Sequence, residues 1–268
     1  MLSVVLAVHN EENNLELCLN SIKGLADQIV VVDGESTDKT TEIARKFNAF
    51  IIPTTNKSNF HINKQMAIDA ATEPLVLQLD ADEIVDETLA SFIQRLKDEL
   101  GGVADFSQFH TKAWFVSRKN WYFGRFLTKG GQYPDRVIRL FLNGFAKLPQ
   151  KNVHEQMEVS GEIAVAAGHL LHYSHPNFSD TLRKMNTYTS FEAERLVNQH
   201  LSIGIWHTLE FMIIKPVTTF LLLVVRHKGI VDGLSGILFG LMSALHHPIT
   251  YLKVWEHYER TKKTNHIN

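Results

Sequence analysis

The chain is poor in cysteine: Cys18 is the only one in 268 residues. No intrachain disulfide can staple the fold, and no zinc site of Cys/His spacing can form. A single thiol fits a reducing compartment. Cys18 falls among Leu15, Leu17, Leu19 and Ile22 and reads as a small buried filler. Charge of one sign is lacking as well. Twenty-seven Lys+Arg against 29 Asp+Glu give a net charge of −2, which removes the basic excess of a nucleic-acid binder. Fourteen histidines would make the surface more cationic at mildly acidic pH. Neither an internal repeat nor a low-complexity tract is present. The apolar opening Met1–Val8 has no basic flank and is cut by His9-Asn10-Glu11-Glu12, so the expectation is a first strand and not a signal peptide. What remains is 44% hydrophobic and 21% charged, enough for one large domain or a domain with an appendage.

The most informative segment is Leu75-Val76-Leu77-Gln78-Leu79-Asp80-Ala81-Asp82-Glu83. An apolar strand-like run ends in three acids within four residues. Carboxylates this close repel one another, and a fold tolerates them best where a cation compensates. At the carboxyl end of a buried parallel strand they sit where open α/β sheets bind ligands. The chemistry this suggests is a hard divalent cation, Mg²⁺ or Mn²⁺, holding a diphosphate. The competing reading is an acid-rich helix start across Glu83-Ile84-Val85-Asp86-Glu87.

Short apolar runs alternate with helical patterns over the first hundred residues. Strands are expected at 2–8, 28–32 (ending at Asp33), 49–52 and 75–79, and helices at 14–22, 37–47 and 63–71. Such alternation predicts a parallel sheet covered on both faces, with the polar strand ends along one edge. Gly101-Gly102 marks a break. Residues 104–116 and 137–142 read as strands, the latter carrying Arg139, and Lys129–Asp135 reads as a loop. From Thr181 the pattern is helical. Leu201–Val225 and Gly229–Leu252 reach the ~20 residues of a membrane span, but His207, Glu210, Lys215, Pro216, Asp232, His246 and His247 interrupt them. Three placements compete: packing on the globular part, a dimer interface, or a monotopic anchor in one leaflet. Lys215, Arg226, His227, Lys228, Lys253 and Arg260 would suit an anionic lipid surface.

Four blocks then fall into a familiar order: VLAVHNEENN from Val4, IVVVDGESTDKT from Ile29, the helix around Lys64, and LQLDADE from Leu77. Over residues 1–100 the chain resembles a family-2 inverting glycosyltransferase. Gly130-Gly131-Gln132-Tyr133-Pro134-Asp135 with Arg139-Leu140-Phe141, then Val153-His154-Glu155, His172-Tyr173, Lys215-Pro216 and Asp232-Gly233 with Gly236 are similar to its lipopolysaccharide-core β-glycosyltransferase branch. Two departures leave phosphate contacts and donor choice open. Glu73-Pro74-Leu75 replaces an aromatic at the start of the acidic strand, and Lys64-Gln65 stands where an Arg-Asn pair is common.

The resemblance implies the α/β GT-A fold, a Rossmann-like, mostly parallel central sheet with helices on both faces, followed by a helical, apolar C-terminal appendage. It divides the chain into a nucleotide-sugar half (1–100), an acceptor half (101–180) and a helical, membrane-associating region (181–268). It implies Asp82 as metal ligand with His172 as a further one, His169 and His175 being alternatives. It implies nucleotide contacts from Asp33 (uracil N3), Asp80 (ribose or uracil side) and Glu12 (near the ribose), and Glu155 as catalytic base. Lys64 is either a phosphate contact or a solvated lysine. Arg139 either binds the diphosphate or pairs with an acid such as Asp135. Glu83 orients its neighbours or merely opens a helix. Trp121, Tyr122 and Phe123 are an acceptor wall or ordinary core, and Gly130-Gly131 is a candidate mobile loop.

The expected function is inverting transfer of a sugar from a nucleotide-diphosphate donor, a UDP-sugar, to a lipid-linked oligosaccharide such as lipooligosaccharide core. The expected place is the cytoplasmic side of the inner membrane, peripheral or monotopic, with no nucleic acid and a homo-oligomer left open. Two alternatives stand beside it: a polyprenyl-phosphate glycosyltransferase, and a non-catalytic membrane-associated nucleotide-binding protein. Fold alone separates none of them.

Overall fold

The computed structural model describes residues 1–57, 59–101, 103, 105–106, 109–150, 156–175 and 177–265, with side chains to 261. Its first compact unit comprises Met1–Arg118 and Asp135–His172; its second comprises Lys119–Pro134 and Tyr173–Asn268.

The first unit opens with β1 (Leu2–Val8), α1 (Leu15–Ser21), β2 (Gln28–Gly34), α2 (Thr40–Lys46), β3 (Phe50–Thr54), α3 (Phe60–Asp69) and β4 (Leu75–Leu79). Side chains alternate across a strand, and β1 uses both faces. Leu2, Val4, Leu6 and Val8 join a core with Leu15, Cys18 and Leu19 of α1 and Ile43 of α2. Val5 joins Val30, Val32 and Val76 against Ala67 and Ile68 of α3. Burial on both faces is what the unbroken apolar runs of these strands predict.

The chain continues through β5 (Glu83–Val85), α4 (Glu87–Leu100), β6 (Thr111–Tyr122), β7 (Arg125–Phe126), β8 (Asp135–Leu142), β9 (Ala146–Lys147), β10 (Glu158–Val159) and β11 (Glu162–His175). The sheet order is β3-β2-β1-β4-β8-β6-β11-β5, with β7 on β6, and β9 and β10 form a separate pair. The run β3-β2-β1-β4 is parallel; β8 joins β4 antiparallel, and β6 joins β8 likewise. Register places Val8 opposite Asp33 and Leu6 opposite Leu79. Asp33 and the acids after Leu79 therefore emerge at the same carboxyl edge.

The structure corrects one alternative from the sequence. Glu83 does not open a helix: Glu83–Val85 is a strand, and α4 starts at Glu87. Asp86 caps it by accepting the Leu89 amide at 2.8 Å, and Leu89, Ile93, Leu96 and Leu100 bury one face of the helix. Helix α3 starts three residues before the expected Asn63, because the Asn59 side chain accepts the His61 amide at 3.0 Å. Gly168 adopts φ +93°, and a Cβ there would lie 2.2 Å from the Leu89 nitrogen, so only glycine lets β11 pass the start of α4.

The second unit holds α5 (Phe178–Asn198), α6 (Ile205–Leu209), α7 (Lys215–Leu221) and α8 (Gly233–Asn265). Helix α5 starts at Phe178 because Asn177 accepts the Asp180 amide at 2.9 Å. Five-residue π turns, Glu210–Ile214 and Leu222–Arg226, adjoin α7. Pro216 lies within the continuous helical run 205–226, just after the π turn Glu210–Ile214, whose wider loop accommodates the proline ring and its missing N–H. Ala193 and Leu196 of α5 pack with Phe211, Tyr251 and Val254. Lys253, one of the cations that would suit a lipid surface, donates to the Asn186 carbonyl at 2.7 Å and to the Thr189 and Ser190 hydroxyls at 2.8 Å each. That ammonium ties α8 to α5. Lys215 pairs with Glu210 at 2.9 Å, and Arg260 pairs with Glu256.

Candidate active site

After β4 the chain turns sharply. The Glu83 amide donates to the Asp80 carbonyl at 3.0 Å, and the Asp80 amide donates to Glu83 Oε2 at 2.9 Å. This reciprocal closure buries Glu83 completely and sends Asp80 and Asp82 in different directions. Asp80 receives ion pairs from Lys64 of α3 and Arg139 of β8. Arg139 also donates to the Gln78 side chain and, at 3.0 Å, to Glu83. Arg118 of β6 lies 3.5 Å from Glu83 and 2.8 Å from Asp135. Arg139 thus pairs with Asp80 and Glu83 and not with Asp135, whose carboxylate Arg118 takes. The repulsion among the acids is relieved by three basic side chains of the chain itself.

This network sets the protonation states. Burial pushes the Asp80 carboxyl up, but Arg139 and Lys64 outweigh it and hold Asp80 well below the usual carboxylate range. Burial likewise disfavours the Arg139 cation, and Asp80 and Glu83 more than reverse that. The Cys18 thiol is pushed well above its ordinary value, first by burial and then by Glu83, Asp82 and Asp80. It is an inert filler, as the sequence implied.

Asp82 meets a different partner. Strand β11 pairs antiparallel with β5, His172 opposite Glu83, and His172 Nε2 comes to 3.5 Å from Asp82 Oδ2. Two donors bound at about 2.1 Å to one octahedral ion stand about 3 Å apart, so a small adjustment lets this pair hold Mg²⁺ or Mn²⁺. No cluster of three or more such donors occurs among the described residues. The alternatives to His172 are engaged elsewhere. His169 pairs with Asp86 at 2.9 Å, and His175 contacts the Thr181 hydroxyl at 3.2 Å.

Asp33, at the end of β2, is 7% exposed. Its Oδ2 accepts the Ser36 amide at 3.3 Å, while Oδ1 is buried with no hydrogen-bond partner among the described residues. A buried carboxylate oxygen without a donor is costly and calls for a ligand N–H or O–H. Exposed Glu12 uses Oε2 to accept the Lys39 amide at 3.1 Å, and its own amide donates to Asp38.

Beside the acids lies a hollow of about 350 Å³ whose lining includes Lys64, Gln78, Asp80, Arg118, Arg136 and Arg139. Four cations around one carboxylate suit a phosphate-bearing ligand. Sequence reasoning missed Gln78 and Arg118. Gln78 left a trace, a lone polar residue inside an apolar strand; Arg118 left none. The expected base Glu155 lies outside the described residues, as do Lys151–His154. Trp121, Tyr122 and Phe123 belong to an aromatic cluster of the second unit. Trp121 stands 4.9 Å from Phe126, and Tyr122 stands 5.2 Å from Phe239 and is 4% exposed.

The parallel run β3-β2-β1-β4, with the acid run at the end of β4, is the sheet of a GT-A fold. Residues 3–156 match the model for glycosyl transferase family 2; the chain belongs to that family and is a glycosyltransferase. It is 27% identical over 274 residues to the lipopolysaccharide core biosynthesis glycosyltransferase LpsC of Rhizobium meliloti (strain 1021), covering 98% of this chain and 95% of that protein. Among solved structures it is similar to TarS 1-349 of S. aureus, with 16% identity and TM-score 0.47 over 97% of this chain and 91% of that one. It is also similar to glucosyl-3-phosphoglycerate synthase from Mycobacterium tuberculosis, crystallised with Mn²⁺, UDP and glucosyl-3-phosphoglycerate. That likeness has 23% identity and TM-score 0.33 over 46% of this chain and 44% of that one.

Proposed function

We propose that the protein transfers a sugar, with inversion, from a UDP-sugar to a lipid-anchored glycan of the lipopolysaccharide-core kind. The observations that carry the donor side are the Asp82–His172 pair and the cationic hollow around Asp80. The acceptor class is supported by the similarity to LpsC along nearly the whole of both chains. Asp33 Oδ1 accepts the uracil N3–H. Asp80, kept ionised by Lys64 and Arg139, and the second oxygen of Glu12 bind the ribose. Lys64 and Arg139 also present positive charge to the diphosphate. Asp82 and His172 hold Mg²⁺ or Mn²⁺, which when bound neutralises charge on the leaving diphosphate. Glu155, assigned from its sequence block alone, removes the acceptor proton.

The second unit supports a membrane-surface placement. Ile205–Arg226 and Gly229–Thr261 are long and apolar enough to cross a membrane. Trp206 is 80% exposed, Ile205 74% and Val225 62%. Arg226 and Lys228, near the apolar Ile230 and Val231, have no ion pair among the described residues. Exposed apolar side chains beside unpaired cations suit a monotopic contact with the anionic cytoplasmic leaflet.

The test is calorimetric binding of UDP, GDP, ADP and CMP, with and without Mn²⁺, to detergent-solubilised protein. Metal-dependent binding of UDP, at least about tenfold tighter than the others, is the expected result. Preference for another nucleotide would change the donor, and no binding of any nucleotide by folded protein would end the reading. Because an imidazole donor favours Mn²⁺ over the harder Mg²⁺, Mn²⁺ should promote UDP binding at the lower concentration. His172→Ala should weaken the Mn²⁺ effect about tenfold and the Mg²⁺ effect much less. Equal loss for both ions would remove His172 from the ligand set.

A further inference from the structure

A hollow of about 400 Å³ lies within the second unit, between α5, α8 and the ends of β6 and β11. That volume is in the range of small-ligand pockets. Tyr122, Met185, Tyr188, Phe239 and Met242 make its lining mainly apolar. Lys184 lines it too, and among the described residues no carboxylate does. The transfer chemistry uses none of these side chains.

Two donors face the hollow. Tyr122 is buried, its ring 4.8 Å from His175 and 5.2 Å from Phe239. Burial pushes its phenol up to about 12, and no hydrogen bond to a described residue offsets that burial. A buried hydroxyl without an acceptor is costly, and a ligand oxygen would satisfy it. Lys184 donates to the Ser174 carbonyl at 2.7 Å and has no ion pair among the described residues. The acids of α5 on either side of it are taken: Asp180 pairs with Arg183, and Glu192 with Arg195. An apolar hollow that offers an ammonium and a phenol fits an amphiphile with an anionic head.

The same face of α5 runs on past the hollow. Phe178 stands three residues before Thr181, and Phe191 three after Tyr188, so helical spacing sets both beside the lining residues. They are 54% and 65% exposed. A small anion would leave both rings in water, whereas a chain lying along α5 would cover them. Met185 and Met242 have the flexible side chains that adapt to such a chain.

We propose that this hollow seats one acyl chain of an anionic membrane phospholipid, with Tyr122 and Lys184 donating to its ester and phosphate oxygens. The source of that lipid rests on the membrane-surface placement proposed above. One seated chain would fix the depth and rotation of α5 at the leaflet, which exposed apolar side chains alone leave loose.

The test places the full chain in dodecyl maltoside micelles with phosphatidylglycerol that carries a diazirine at the end of one acyl chain. Photolabelled residues are mapped by mass spectrometry, and adducts are expected on Met185, Tyr188 or Met242. Ser243→Trp fills the hollow from a half-buried position. It should cut those adducts at least about tenfold and leave adducts at exposed Ile205 and Trp206 unchanged. Tyr122→Phe and Lys184→Ala should each raise the half-saturating lipid concentration about tenfold, the worth of one charge-assisted hydrogen bond. Tyr122→Phe keeps the ring packing, so it decides the matter if Ser243→Trp fails to fold. The choline-headed analogue should label the hollow about fivefold less, as one lysine facing an anionic head predicts. Unlabelled phosphatidylglycerol should displace the label. Displacement by a lipid-anchored glycan fraction of cell envelope, and not by phosphatidylglycerol, would overturn the assignment in favour of the acceptor's own anchor. Folded Ser243→Trp that labels like wild type, or adducts on the exposed apolar surface with none in the hollow, would overturn it as well. Flotation with phosphatidylglycerol vesicles reads the membrane placement separately. Protein that labels in micelles but does not float would keep the pocket and lose the placement.

Discussion

Asp82→Asn is expected to lower transfer by about a thousandfold or more while leaving the fold intact. Asp80 and Glu83 are held by Lys64, Arg139 and Arg118. Asp82 is the member of the acid run that faces an imidazole. Asparagine keeps its volume but replaces an anionic oxygen with a neutral one. Several kcal/mol of stabilisation at the leaving diphosphate would go with it, and each 1.4 kcal/mol is a factor of ten in rate. The melting temperature should stay within a few degrees, because Asp82 has no part in the ion pairs that bury Glu83. Metal-independent binding of UDP should persist, and the Mn²⁺ enhancement should vanish. An Asp82→Asn protein with full turnover would remove the residue from the proposed metal site. The same substitution at Asp80 would have a mixed effect, since that carboxylate also compensates two cations.

The largest loss of stability is expected from Arg139→Leu. Arg139 is 8% exposed and Glu83 is 0% exposed, so the variant leaves buried carboxylates without their main partner. Removing one side of a buried ion pair costs about 3–5 kcal/mol. In a chain of this size that lowers the melting temperature by roughly 10 °C or more. The pH dependence follows from the direction of the Asp80 shift. In the wild type that carboxyl is depressed in the folded state. Its contribution is therefore complete above about pH 4, the unfolded value, and is lost as pH falls through the lower folded value. Without Arg139, burial and mutual repulsion disfavour the ionised forms, and protonation relieves the variant. Its deficit against wild type should shrink from pH 7.5 to pH 5, measured as melting curves of both proteins. A deficit below about 1 kcal/mol at pH 7.5, typical of a surface pair, would mean that Arg139 is not the keystone of the acid cluster.

The parallel half of the sheet was legible because its strands are buried on both faces, so Val4–Val8, Ile29–Val32 and Leu75–Leu79 stand out as apolar runs. Asp33, Asp80 and Asp82 were legible for the same reason, being charges that end such runs. The partners of those charges were not. Arg118 comes from a strand more than thirty residues further on, and only the antiparallel register of β6 and β8 brings it to Glu83 and Asp135. Periodicity reports which face a residue occupies, not which neighbour lies across it. Glu83 was misread in one alternative because a short strand rich in acid and β-branched residues looks like a helix start until its pairing with β11 is seen. The interrupted stretch after Leu201 leaves three placements open in the sequence. Its π turns and the Lys215–Glu210 pair accommodate the interruptions locally, which propensity cannot show.

The second unit is assembled from two separate stretches, Lys119–Pro134 and Tyr173–Asn268. The polypeptide therefore passes between the units three times, and the C-terminal helices are not a cassette that one recombination event could add or delete. A cut at residue 180 would strip Tyr122 of its contact with Phe239, Phe123 of the Ser235 hydroxyl that binds its carbonyl at 2.7 Å, and Thr128 of Asp232. The severed first unit would keep a stranded, sticky aromatic hairpin. A graft that exchanges the C-terminal helices should therefore carry residues 119–134 with them.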